Sequence, residues 1–145
     1  MHPLQKKMLV TKAELPDVAK QFADFLQKNG KFVLWLCGEL GAGKTTFAGY
    51  LLHALGLPET VPVLSPTFTV MTEYETSIGL IGHLDLYRLV DGDEDSLESL
   101  LSSREFAGLI IEWPERDASS PLIQKTHRLD IRFVENLDQR ELELS

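Results

Sequence analysis

Two hydrophobic spacings alternate along this 145-residue chain. Leu15, Val18, Ala19, Phe22, Phe25 and Leu26 recur three and four residues apart, predicting a helix that ends near Gly30. Two signals disagree about its start. Thr11 and Glu14 have capping-box spacing, but Pro16 would then sit inside the helix and remove a bond. Lys31-Phe-Val-Leu-Trp-Leu-Cys37 is a continuous apolar run, as expected of a strand buried on both faces. Phe47, Ala48, Leu51, Leu52 and Leu55 then return to helical spacing until Gly56 and Pro58 stop it.

The remaining segments read mainly as strands. Met8-Leu9-Val10 is a short edge strand. Glu59 to Ser65 is turn-like, and Thr67 to Tyr74 is a strand rich in β-branched and aromatic residues. Thr76 to Gly79 is a turn leading into a second strand, Leu80 to Leu86, so that the pair forms a hairpin. Asp91 to Glu98 is an acidic connection that starts short helices running to about Phe106. Gly108 to Glu112 is another buried strand, broken by Pro114. Thr126 to Val134 and Glu141 to Leu144 alternate apolar and polar residues around the turn Glu135-Asn-Leu-Asp138, predicting a closing hairpin. The pattern is α/β with a mixed sheet and antiparallel hairpins. Residues 1–145 are most simply one domain, long enough to bury about two-thirds of its unfolded surface.

Composition changes this picture little. Hydrophobic residues make up 43% and charged residues 25%, ordinary for a globular protein. No apolar run approaches the roughly 18 residues of a membrane span, and the N-terminus lacks the apolar core of a signal peptide. The one cysteine, Cys37, cannot form an internal disulfide, and beside the strand end it reads as a small buried apolar residue. A cytoplasmic protein is expected. The net charge of −8 argues against a nucleic-acid-binding surface on this chain alone, because neutralising phosphates needs clustered Lys and Arg. It serves solubility, or an acidic face that docks a basic partner.

Chemistry enters between the buried strand and the second helix. Gly38-Glu39-Leu40-Gly41-Ala42-Gly43-Lys44-Thr45, followed by Thr46, fits G-x-x-x-x-G-K-[ST], the phosphate-binding loop of nucleoside-triphosphate-binding proteins. Strand, glycine loop and helix together aim free backbone N–H groups and a positive helix end at a polyphosphate. The glycines allow backbone angles and close approach that a side chain would forbid. Lys44 reaches the β- and γ-phosphates as a point charge, and the Thr45 hydroxyl is suited to bind Mg²⁺.

A nucleoside triphosphatase also needs a carboxylate for Mg²⁺ and a group that orients the attacking water. Asp85 and Glu112 both end apolar strands, where ligands gather in open α/β sheets. The pattern alone does not rank them. His83 lies two positions before Asp85 and projects from the same face, which suits a hydrogen-bonded orienting role. His2, His53 and His127 form no ligand-spaced cluster with it. Ser65-Pro-Thr67-Phe-Thr69 is a proline-stiffened run of hydroxyls, either a γ-phosphate or Mg²⁺ sensor or a capped turn. Arg88 is the only basic residue beside these motifs in sequence. No Asn-Lys-x-Asp guanine-reading motif is present, which favours ATP over GTP, and there is no arginine-rich lid of the kind small-molecule kinases use.

Four of these segments occur together in one known family. Gly38-Glu-Leu-Gly-Ala-Gly-Lys-Thr-Thr46, Ser65-Pro-Thr-Phe-Thr69, His83-Leu-Asp-Leu-Tyr-Arg88 and Ile111-Glu-Trp-Pro114 make the chain resemble the TsaE (YjeE) family, over nearly its whole length. These are small P-loop ATPases of bacterial tRNA threonylcarbamoyladenosine synthesis. His-x-Asp-x-Tyr-Arg and Glu-Trp-Pro are not general features of P-loop proteins. A glycine usual in the family between the last two motifs is absent, the segment reading Leu97-Glu-Ser-Leu-Leu-Ser-Ser103.

The resemblance implies a three-layer α/β/α P-loop NTPase fold and weak intrinsic hydrolysis of bound ATP to ADP. It implies that Thr45 and Glu112 hold Mg²⁺, that Asp85 lies beside the reacting phosphate, and that Thr11 belongs to the adenine pocket. It further implies work with a two-protein TsaB–TsaD complex that modifies adenosine 37 of tRNAs reading codons that begin with A. ATP hydrolysis would drive turnover of that assembly, so contact with tRNA is indirect, and no membrane is involved. Two other readings compete: a small-molecule kinase using the same loop, and a nucleotide-gated binding module without useful turnover. A kinase should respond to metabolites, an accessory ATPase to partner proteins.

Overall fold

The computed structural model describes residues 6–65, 70–89 and 93–145, and for 93–96 the backbone only. In chain order its elements are β1 (Lys7–Thr11), α1 (Leu15–Lys28), β2 (Phe32–Cys37), α2 (Lys44–Ala54), β3 (Met71–Thr76), β4 (Gly79–Asp85), α3 (Asp93–Ser102), β5 (Gly108–Glu112), β6 (His127–Phe133) and β7 (Gln139–Leu144). All seven strands share one sheet in the order β1-β7-β6-β2-β5-β4-β3. β2 runs parallel to both β5 and β6, and β4 runs parallel to β5. The β3–β4 and β6–β7 pairs are antiparallel, as is β1 against β7. The mixed sheet with two hairpins agrees with the pattern of the sequence.

The apolar run of β2 divides its side chains between two cores. Leu34 and Leu36 face α1 and α2, where they join Phe22, Leu26, Phe47, Leu51, Ile110 and Ile131. The Phe22 and Phe47 rings meet edge-on at 6.0 Å and 89°, joining the two helices. Trp35 and Cys37 face the other way, into a second core with Leu84, Leu109, Ile111, Ile123 and Leu97 of α3. Helices therefore lie on both sides of the central strands. Beyond β2, that second face carries charge instead: Lys7–Glu141, Arg128–Asp130 and Arg132–Glu143 pairs run across β1, β7 and β6. These are solvent-screened pairs worth little individually.

The conflicting signals at the first helix are both satisfied. Residues Lys12–Glu14 form a 3-10 turn, and the Glu14 carboxylate accepts from the Thr11 N–H and hydroxyl at 2.8 and 3.0 Å. α1 begins only at Leu15, so Pro16 occupies its first turn, where an N–H would have no intrahelical partner anyway. The β3–β4 turn is shorter than the Thr76 to Gly79 expected. Thr76 still pairs within β3 while its hydroxyl donates to the Gly79 carbonyl at 2.7 Å, so a polar residue serves strand and turn together. No helix among the described residues is long and apolar enough to cross a membrane.

Candidate nucleotide-binding site

The parallel strands β2, β5 and β4 end side by side, and the site forms at that edge. β2 runs into Gly38, the glycine loop follows, and α2 starts at Lys44. Gly41 and Gly43 have φ of 82° and 110°, left-handed values that side chains rarely adopt. Gly38 is required for a different reason. A Cβ there would stand 2.4 Å from the Ile131 carbonyl oxygen on β6, which is fixed backbone. The loop turns through an Ala42 N–H to Glu39 carbonyl bond of 3.0 Å. Glu39, Leu40 and Thr46 are exposed.

Lys44 is 95% buried, with an exposure of 5%. Its ammonium donates to the Gly38 carbonyl and lies 3.6 Å from the centroid of the Trp113 ring. Burial lowers its pKa from the ordinary lysine value, while the negative charges of Glu112, Glu115 and Asp85 oppose that shift. No carboxylate among the described residues forms an ion pair with it, so its charge has no anionic partner in contact.

The sequence left Asp85 and Glu112 unranked; the geometry gives them different partners. The sheet register sets Asp85 directly beside Glu112 and Glu112 beside Leu36. Glu112 is buried, and both of its oxygens accept from the Thr45 hydroxyl, at 2.9 and 3.0 Å. His83, fully buried, donates its Nε2–H to Glu112 Oε2 at 2.6 Å. Its Nδ1 is buried without a hydrogen-bond partner among the described residues. Asp85 instead accepts from the Ser65 hydroxyl at 2.6 Å and from the Tyr87 N–H at 3.0 Å. Thr67 and the rest of its run, 66–69, lie outside the described residues, as do residues 90–92 at the start of the acidic stretch.

Trp113 follows Glu112 with φ 58° and ψ 48°, a left-handed conformation that is an outlier for a bulky residue. It is held by the Lys44 ammonium on its ring, the Tyr87 ring at 4.8 Å and the buried Pro114 that follows. Thr11 ends β1 opposite Gln139 of β7, and the Lys12 N–H that follows bonds the Asp138 carbonyl at 3.0 Å, tying β1 to the β6–β7 turn. A cleft of about 670 Å³ opens beside Gly38, Glu39 and Leu40, walled by Trp35, Trp113 and Arg128.

Two arginines therefore correct the expectation that Arg88 is the only basic residue beside the motifs. Arg88 is exposed. Arg128 lines the cleft in a fork with Asp130 at 3.1 Å. Arg140, with 5% exposure, donates Nε–H to the Ala42 carbonyl inside the glycine loop at 3.0 Å. The signal was present in the alternation of β7. Arg140, Leu142 and Leu144 share one face, an arginine standing where an apolar residue is expected.

Among the described residues, no three His, Cys, Asp or Glu side chains gather as a metal cage. The Thr45 hydroxyl and the Glu112 carboxylate beside the glycine loop are the kind of sparse oxygen set that would suit Mg²⁺, an ion that keeps waters and phosphate oxygens as its other ligands.

Comparison with known proteins agrees with this architecture. The profile of the family described as "Threonylcarbamoyl adenosine biosynthesis protein TsaE" matches residues 9–142. An Aquifex aeolicus protein named tRNA threonylcarbamoyladenosine biosynthesis protein TsaE is 38% identical over 133 residues, covering 90% of this chain and 92% of its own. Proteins of the same name from Haemophilus influenzae and Bacillus subtilis are 38% and 41% identical, covering 67% and 59% of this chain. Those two alignments take in 63% and 52% of the relatives' own lengths. Among solved structures, one described as "Crystal structure of Bacillus subtilus YdiB" superposes with a TM-score of 0.63 at 24% identity, covering 99% of this chain and 87% of that one. That likeness shows a shared α/β fold.

Proposed function

The chain belongs to the TsaE family, and from that premise we propose that it is an ATP-binding, weakly ATP-hydrolysing accessory protein of tRNA threonylcarbamoyladenosine synthesis. The observation that carries the reading is the Thr45 hydroxyl bonded to both oxygens of a buried Glu112, with Lys44, the residue before it, giving its ammonium to the Gly38 carbonyl of the same loop. Thr45 and Glu112 would hold Mg²⁺. Bound Mg²⁺ supplies neutralisation of charge on the phosphates. Lys44 supplies a second, fixed positive charge, and the loop amides donate to phosphate oxygens. His83 keeps the Glu112 carboxylate aimed at Thr45. Asp85, fixed by Ser65 and the Tyr87 N–H, is the acceptor available to orient an attacking water.

Phosphoryl transfer is catalysed mainly by positioning and charge, and a supplied arginine is worth about 10³–10⁵ in rate. Arg128 is forked to Asp130, Arg116 stacks on the Tyr87 ring and Arg140 is given to the Ala42 carbonyl, so these guanidiniums are already engaged. Slow hydrolysis alone, raised by a TsaB–TsaD-type partner complex, is the behaviour this arrangement supports, with tRNA contacted through the partners. The direct test is calorimetric titration with ADP and ATP, with and without Mg²⁺. Binding should be Mg²⁺-assisted in the native chain, lost or strongly weakened in Lys44→Ala, and insensitive to Mg²⁺ in Thr45→Ala. Unchanged affinity in Lys44→Ala would exclude the loop as the site.

A further inference from the structure

We propose that Arg140 is a positioning residue that holds the Ala42–Gly43 peptide with its N–H turned toward a bound phosphate; this rests on the nucleotide-binding reading above. Arg140 enters the structure at the start of β7, on the face that Leu142 gives to the core, and it is 95% buried at an exposure of 5%. Among the described residues, its hydrogen bonds all go to carbonyls and its charge faces a ring. Nε donates to Ala42 at 3.0 Å, and Nη1 donates to Leu137 at 2.7 Å and to Gln139 at 2.8 Å. The guanidinium carbon lies 4.6 Å from the Phe133 ring centroid, and that ring's edge is 3.9 Å from where a Cβ on Gly41 would stand. No carboxylate among the described residues pairs with it. A buried cation is expensive, and an aliphatic side chain would fill the same place at less cost.

The backbone geometry explains what the arginine does there. In a trans peptide the carbonyl and the next N–H point in opposite directions. Fixing the Ala42 carbonyl against Arg140 therefore fixes the Gly43 N–H on the opposite side. That N–H has no acceptor among the described residues. Gly43, at φ of 110°, carries no side chain to restrict rotation of this peptide about its N–Cα bond. Without a donor behind it, the Ala42 carbonyl could turn outward and put an acceptor where phosphate oxygens must sit. The uncompensated guanidinium also adds positive charge behind the loop. Arg140 touches neither substrate nor metal in this arrangement; it acts through the loop peptide.

The test titrates native protein, Arg140→Met and Arg140→Lys with ADP and with inorganic pyrophosphate, and follows the Gly43 amide by ¹⁵N NMR. Charged hydrogen bonds of this kind predict at least about tenfold weaker binding of both probes in Arg140→Met. Pyrophosphate should lose as much as ADP, because the base takes no part. Arg140→Lys keeps the charge and one donor, and should recover part of the affinity while its Gly43 resonance stays displaced. A folded Arg140→Met that binds pyrophosphate within twofold of native protein overturns the inference and leaves the nucleotide reading standing. Native protein that binds neither probe overturns both. Should the variants not fold, the native Gly43 amide decides: it should exchange freely without ligand and be slowed by ADP, and an amide already protected without ligand contradicts the proposal.

Discussion

Lys44 lies 3.6 Å from the centre of the Trp113 ring, with its ammonium given to the Gly38 carbonyl. A phosphate entering the loop competes for that ammonium, so the environment of Trp113 should change on binding. Tryptophan fluorescence should therefore shift on addition of ADP, and Trp113→Phe, which leaves only Trp35, should lose the shift while still binding. A full-sized signal in Trp113→Phe would place the reporter elsewhere. Cys37 gives a pH prediction at the same scale. Burial is the main cause that pushes its thiol up to about 11 from an ordinary 9.0. The folded state therefore holds a proton that the unfolded state releases first. This contribution to stability is intact below pH 9 and is lost as the pH rises toward 11. Iodoacetamide should label Cys37 slowly in native protein at pH 8 and much faster after unfolding. Equal rates would contradict its burial.

At the level of strands and loops, the loop depends on close backbone approach, and the proposed function gives its two carboxylates separate tasks. Gly38→Ala should destabilise the fold by about 1–3 kcal/mol, the usual range for overpacking, because its Cβ meets the Ile131 carbonyl and not a movable side chain. Chemical denaturation measures this, and an unchanged midpoint would refute the contact. Glu112→Gln should raise the Mg²⁺ concentration needed for ATP binding, whereas Asp85→Asn should bind ATP normally and hydrolyse it more slowly. Mg²⁺ titrations and rates like the native chain's in both variants would remove the assignment. The strands, the glycine loop and both hairpins were legible in the sequence because their signals are local: runs, spacings and turn residues a few positions apart. The glycine loop's partners were legible only in part. Thr45 and Glu112 are 67 residues apart, and nothing in either strand end chose Glu112 over Asp85 until the sheet register set Glu112 opposite Leu36. Arg140 reaches Ala42 across 98 residues, and an inward arginine on a short strand does not announce which carbonyl it serves. Pro16 and the Thr11–Glu14 pair seemed contradictory until a 3-10 turn separated them.

For the whole molecule, the charge of −8 and the engagement of Arg128, Arg116 and Arg140 in contacts of their own point the same way. An acidic chain is a poor direct ligand for tRNA and a natural partner for a more basic protein surface. Trp113, half-buried beside the loop and strained in a left-handed conformation, is placed to report or to complete such docking. If partners complete the site, hydrolysis by the isolated chain should be slow even with saturating ATP and Mg²⁺. The decisive measurement is steady-state ATP hydrolysis by this chain with and without a TsaB–TsaD pair, using Lys44→Ala to subtract contaminating activity. A low basal rate that rises when the pair is added is the predicted result; a fast basal rate unmoved by the pair would contradict the account and return the chain to the small-molecule kinases.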